Sequence, residues 1–326
     1  MIRAASIHLF TGLLAGLARV SRYGRYALVL GLVAGVLLPG VAAGLQPWLP
    51  QLVMVLLGLV ALRIGPHKAR QGLRNSRATF ALVLAFQLAL PLGALGVAHL
   101  LGVAQSIYTM AVVLVLAAPA LSGSPSLSII LRADPEPAFR LLIVGIVLLP
   151  LTIIPVFWML PQVGDLFAAM TGALRMLGVI LISIGFGFVM RVTLCPQPTA
   201  LQEGALDGVM VIALGVMVVG LMAALPMALR QDPLTVAFWM ALAFGVNFGA
   251  QILTHRVVRS RFAQSEAVPV SIVSGNRNVA IFLVALAPSV SEPLLIFLGC
   301  YQVPMYLTPI MLRWLYHPAK TTPSPP

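Results

Sequence analysis

The chain has 326 residues, of which 60% are hydrophobic and 9% charged, with a formal net charge of +12 at pH 7. A soluble domain carries about 25% charged residues, so this composition excludes a water-soluble globular protein and predicts an integral membrane protein. The basic residues lie in short loops between apolar runs, which excludes a nucleic-acid-binding patch and makes the charge topological information.

The apolar runs have the length of helices that cross a hydrocarbon core of about 30 Å. They lack the alternation of a membrane barrel. Cys195 and Cys300 form no disulfide framework, and His8, His67, His99, His255 and His317 are scattered without ligand spacing. No metal and no cofactor are expected.

In chain order, residues 1–25 place Ile7, Phe10, Leu13, Leu14 and Leu17 on one helical face between Arg3 and the group Arg19, Arg22 and Arg25. The segment resembles a signal peptide but has no small-residue cleavage site, so an interfacial helix lying on the bilayer is expected. Ten spans follow, at 26–44, 49–64, 79–101, 106–131, 139–160, 168–190, 208–229, 234–255, 266–288 and 293–313. The second is short, with an earlier start allowed. The predicted fold is an all-α polytopic membrane protein. The tail 314–326 is Pro-, Ser- and Thr-rich toward its end and is expected to be disordered.

Loop charge sets the orientation. With the first residue inside, 17 of the 20 basic residues fall inside, all but Arg175, Arg230 and Arg277. Both ends of the chain are therefore expected in the cytoplasm. Ten spans divide as five plus five, which inverts the second half relative to the first. That repeat rests on the order of elements, not on residue identity.

Two polar interruptions fall in corresponding spans of the two halves, spans four and nine: Ser122-Gly123-Ser124-Pro125-Ser126 and Ser274-Gly275-Asn276-Arg277-Asn278. Gln87 in span three and Asn247 in span eight form another corresponding polar pair. Irregular backbone at membrane depth survives only when it is buried in protein or lines a cavity. Paired breaks mark the central site of secondary transporters. The bland alternative for the first break is a proline kink whose hydroxyls bond back to their own helix.

Arg277 lies about 11 residues, roughly 16 Å, from the inner end of span nine. An arginine at that depth costs about 2.5 to 3.5 kcal/mol on insertion scales, and no span interior offers a carboxylate to pair with it. Arg277 is therefore expected to face carbonyl oxygens, water or an anion from outside the protein; guanidinium geometry suits a carboxylate, phosphate or sulfonate, and direct anion contact is favoured. Ser122, Ser124, Asn276, Arg277 and Asn278 are the expected substrate-binding residues. Gln87, Ser126, Ser274 and Asn247 are the supporting polar groups.

These stretches resemble the bile acid:sodium symporter family over about residues 26–313. Ala118-Pro119 through Arg132 is similar to that family's Ala-Pro-Gly-Gly-Thr-Ser-Ser-Asn run, and Ser274 to Asn278 lies where the family has a Glu-x-Gly-x-Gln-Asn motif. The resemblance implies a ten-helix inverted repeat with two broken, crossing helices. It implies a core of spans 3–5 and 8–10 and a panel of spans 1, 2, 6 and 7. It places Ser122 and Asn278 against a small organic anion, and Ser124 and Gln87 at sodium-ligand positions. The family's key glutamate, however, falls on Val273, its glutamine on Arg277, the asparagine of its first break on Pro125, and two hydroxyl ligands on Ala138 and Leu142. Coupling to sodium through those sites is therefore not expected. Arg277 either touches the anion or stands as a built-in cation in the vacated region.

No enzyme motif, channel filter or appended signalling domain stands out. The expected function is a secondary transporter of a small organic anion, with the lipid bilayer as its other partner. The alternative is a membrane-embedded ligand sensor that keeps the transporter fold. Arginine-rich loops and an uncleaved start fit a bacterial inner membrane.

Overall fold

A computed structural model of the chain describes residues 2–74 and 77–316, with side chains described from Thr11 onward except Arg25 and Arg74. The described residues are predominantly helical, and a single isolated antiparallel bridge is the only sheet-like pairing among them. The helices are α1 (Ile2–Arg22), α2 (Gly24–Leu37), α3 (Pro39–Leu45), α4 (Leu49–Arg74), α5 (Arg77–Leu84), α6 (Leu90–Leu100), α7 (Ile107–Ala117), α8 (Ser124–Ile130) and α9 (Glu136–Met159), followed by α10 (Leu166–Leu194), α11 (Ala200–Leu221), α12 (Leu225–Gln231), α13 (Pro233–Val258), α14 (Gln264–Gly275), α15 (Pro288–Ser291), α16 (Leu295–Met311) and α17 (Arg313–Tyr316).

Seven helical runs among the described residues are long and apolar enough to cross a membrane: Pro39–Leu73, Arg77–Leu100, Glu136–Met159, Leu166–Leu194, Ala200–Gln231, Pro233–Val258 and Pro288–Met311. The chain is built as a multi-pass membrane protein. Spans two, three, five, six, seven, eight and ten of the expected set correspond to these seven runs, with the ends of three, five and ten expected one or two residues too far.

The other three are interrupted. Span one breaks at Leu38, whose φ of −117° and ψ of 64° leave the helical region because Pro39 follows it. Spans four and nine are broken near their middles. Several boundaries also move. The run that carries the second span does start earlier, at Pro39, and it continues to Leu73 through a kink at Gly65 (φ 74°, ψ 157°). That positive φ is accessible to glycine, and Pro66 then restarts the helix. Residues 314–316, expected to be disordered, form the last turn of α17 with Tyr316 buried; 317–326 lie outside the described residues.

Polar caps mark several starts. Asp165 accepts from the Ala168 N–H at 2.9 Å, and Asp232 from the Thr235 N–H at 3.0 Å. Thr199 and Gln202 form a reciprocal capping box on α11.

The central helix is α9, 67% of whose apolar window is buried against 28% for α10 and α13. On one side α4 packs along α10 and α11. The contact with α10 is so close at Gly187 that an added Cβ would strike the Gly58 carbonyl. At one end of this group Arg63 pairs with Asp207 at 2.6 Å and Glu203 at 3.4 Å. The segment expected to lie on the bilayer, α1, crosses the start of α11 at this end, with Leu17 and Ala18 against Gly208 and Gly204. On the other side α13 packs against both α14 and α16. The two broken segments lie between.

Candidate functional site

Each break forms for a local reason. Ser106 caps the start of α7 by accepting from the Tyr108 N–H, and the helix ends at Ala118, which the following Pro119 holds extended at φ −65° and ψ 151°. The chain turns through Gly123 and re-enters helix at Ser124-Pro125, with proline in the first turn. In the second segment α14 passes Pro269 without ending and stops at Gly275. Asn276 is extended, Asn278 leaves the helical region at φ −87° and ψ 71°, and Val279–Val284 continues as a tighter 3-10 helix.

The two extended stretches cross and pair. Leu121 N–H donates to the Asn276 carbonyl at 2.9 Å, and Asn278 N–H donates to the Pro119 carbonyl at 2.9 Å. These two bonds flank an antiparallel bridge between Ala120 and Arg277. Lipid cannot hydrogen-bond a backbone opened at this depth. Each break here satisfies part of the other.

Ser122 and Asn278 open beside this crossing onto a cleft walled by Leu56 and Val60 of α4, Ile146 of α9 and Met217 of α11. The cleft volume is about 10 Å³, room for about one water. Its other walls are aliphatic, so these two side chains carry its side-chain polarity.

Arg277 does not line the cleft. It is 2% exposed. Its Nε donates to the Ser274 carbonyl at 3.0 Å and its Nη1 to the Ala118 carbonyl at 3.0 Å. The Phe86 ring lies 4.8 Å from its Cζ, a cation–π distance. Its Nη2 makes no hydrogen bond. Ala118 caps the C-terminus of α7 and Ser274 lies in the last turn of α14. Two half-helix C-termini, each with partial negative charge, thus converge on one guanidinium. Among the described residues the ion pairs belong to Arg63 and Arg140, and no carboxylate pairs with Arg277. The protein's own carbonyls take Nε and Nη1 of this side chain, which leaves Nη2 as its unpartnered nitrogen.

The remaining predicted residues divide. Asn276 is fully buried, its Nδ2 donating to the Ile272 carbonyl at 2.9 Å. Ser124 is fully buried, and its hydroxyl makes no hydrogen bond. Ser126 is exposed and stays apart. Ser274 bonds back to the carbonyls of Ser271 at 2.7 Å and Ala250 at 3.0 Å. Gln87 sits on a single π-helical turn, Ala85–Ala89, and donates to the Gly145 carbonyl of α9 at 3.2 Å, while Thr152 donates to its Oε1 at 3.3 Å. It therefore ties α9 to the turn that presents Phe86, without reaching the cleft itself. Among the described residues no group of three or more His, Cys, Asp or Glu could hold a metal ion.

Asn247 belongs to a buried network larger than the expected pair. Its Nδ2 donates to the Gly275 carbonyl at 2.6 Å, which also accepts from the Tyr301 hydroxyl. Gln251 Nε2 donates to Asn247 Oδ1 at 2.6 Å and to Thr308 Oγ1 at 3.1 Å. The Tyr316 hydroxyl donates to Gln251 Oε1 at 2.8 Å. Thr308 reaches Asn276 Oδ1 at 3.4 Å. Gln251, Tyr301, Thr308, Tyr316 and Phe86 were not among the predicted residues. The i, i+4 spacing of Asn247 and Gln251 in an apolar span puts both on one face, a signal that was present. The partners on α16 and α17 left no such trace.

No family model matches the chain, and no curated protein matches it significantly.

Proposed function

We propose that the protein is a secondary transporter of a small organic anion, not an enzyme, and that the ion passes through the cleft beside the crossing. The single observation that supports this is the meeting of two broken membrane segments in one antiparallel bridge, with Ser122 and Asn278 facing the cleft next to it. The reading takes from the resemblance to the bile acid:sodium symporter family a ten-segment inverted arrangement. It takes from loop charge both termini on the cytoplasmic side of a bacterial inner membrane.

In this reading Arg277 is the carrier's built-in cation. It neutralises the converging C-termini of α7 and α14 where a dissociable cation would otherwise be required. Transport is then independent of sodium. The anion is selected by the Ser122 hydroxyl, the Asn278 amide and an aliphatic wall, which suits a small carboxylate with an apolar body.

The test is flux of labelled small carboxylates into liposomes holding the purified protein, in sodium and in potassium media. The expected result is equal uptake in both, lost in Asn278→Ala. Uptake that requires sodium and survives Arg277→Ala would sink the built-in cation. A second reading, a membrane-embedded ligand sensor, draws on the narrowness of the cleft, about 10 Å³. It predicts anion-dependent thermal stabilisation with no flux.

A further inference from the structure

A second cavity, of about 270 Å³, lies at the end of the bundle opposite Arg63. It is bounded by the end of α9, the start of α10 and the far arm of the second broken segment. Phe157, Phe167, Leu286 and Val290 give it an apolar wall, and Thr171 and Arg175, one turn apart on α10, are its polar exceptions. The Thr171 hydroxyl donates to the Phe167 carbonyl at 2.8 Å, which leaves Arg175 as the donor free to meet a ligand. Arg175 is exposed and has no ion pair or hydrogen bond among the described residues. The acid before it on this helix, Asp165, is occupied in capping α10.

Depth makes the position unusual. Phe167 is 79% exposed and Leu174 63% exposed, on a helix whose apolar length crosses a membrane. Arg175 lies eight residues past Phe167, about 12 Å further along the axis. A lone guanidinium below a lipid-facing aromatic is costly unless an anion or water reaches it. The cavity beside it is large enough for a phosphate and part of an acyl chain, and its wall holds no carboxylate to receive an ammonium group.

We propose that this cavity binds an anionic membrane phospholipid, with the headgroup phosphate on Arg175 and the upper acyl chain against Phe167 and Val290. Guanidinium and phosphate match in charge and in paired hydrogen bonding. The site also touches the broken segment. At Gly172 an added Cβ would stand 3.2 Å from the Phe157 ring and 3.3 Å from the Ala285 carbonyl, so the lipid sits where α10 bears on the arm leading to Arg277. This assignment does not depend on the carrier reading.

The experiment is native mass spectrometry and thermal unfolding of the purified full chain with added phosphatidylglycerol, phosphatidylcholine or inorganic phosphate. The expected result is a retained phosphatidylglycerol adduct and a raised Tm that phosphatidylcholine does not give. Arg175→Gln should weaken it by about tenfold or more, while Arg230→Gln leaves it unchanged. A phosphatidylglycerol carrying a diazirine near the top of its acyl chain should label residues 157–175. Equal binding of the two lipids, an unchanged affinity in Arg175→Gln, or a matching shift with inorganic phosphate alone would each overturn the proposal.

Discussion

Arg277 shows how one residue can reconcile two helix ends. Without it, the carbonyls of Ala118 and Ser274 would face each other's dipoles with no donor between them. Replacing it by methionine keeps the volume and strands both acceptors, each worth about 1–3 kcal/mol when buried and unpaired. Part of that loss is offset because a buried charge is also removed. Arg277→Met is therefore expected to lower stability by about 1–3 kcal/mol, with Arg277→Lys retaining more than half of the loss, as read by thermal unfolding in detergent. Gln251 is the other residue on which several bonds converge. Gln251→Leu removes the donor to Asn247 and Thr308 and the acceptor for Tyr316. A cost of about 2–4 kcal/mol is expected. In a double-mutant cycle Tyr316→Phe should add little on top of it; additive losses would show that the two act separately.

At the level of elements, helix starts follow rules that can be read along the chain. Asp232 caps α13 through the Thr235 hydroxyl and N–H, and the Thr235 hydroxyl bond chiefly holds its carboxyl below the usual 3.8. A carboxyl depressed in the folded state stabilises above its unfolded value and loses that contribution as pH falls through the folded one. Asp232→Ala should therefore lower Tm at pH 7 and differ little from wild type once the pH is well below 3.8; a mutational effect that persisted at low pH would remove the cap from the explanation. Proline and glycine likewise announced both breaks, at Pro119, Pro125 and Gly275. They did not announce that Leu38 would interrupt the first span, because a single Leu-Pro step inside an apolar run reads equally as a kink. Nor did they place the end of the second span, since the Gly65-Pro66 step bends α4 without ending it.

For the whole molecule, the relevant division is between α4, α10 and α11 on one side of the cleft and α9 with the crossing on the other. If an anion passes there, the cleft must widen from about 10 Å³. Val60 and Ile146 line it from opposite sides. Joining cysteines at these two positions with a short reducible cross-linker, in a Cys195→Ser background, should stop flux and reduction should restore it, while each single cysteine treated alike stays active. Flux through the cross-linked protein would move the pathway elsewhere.

By itself the sequence determined that the chain crosses a membrane, where most of its helices lie, and where two spans break. Apolar length and the backbone preferences of proline and glycine are local properties, and they are written residue by residue. Ser122 and Asn278 were two of five residues expected at the breaks, and only the family resemblance set them apart as a pair. What the partner of Arg277 would be was not legible. A missing carboxylate left carbonyl oxygens, water or an outside anion, and only the tertiary structure brought one particular carbonyl, that of Ala118, 159 positions away, to its guanidinium. Backbone carbonyls are the same in every residue, so composition carries no mark of which of them will meet a given side chain. The polar network from Gly275 to Tyr316 was hidden likewise, because it joins four elements whose contact is decided by packing.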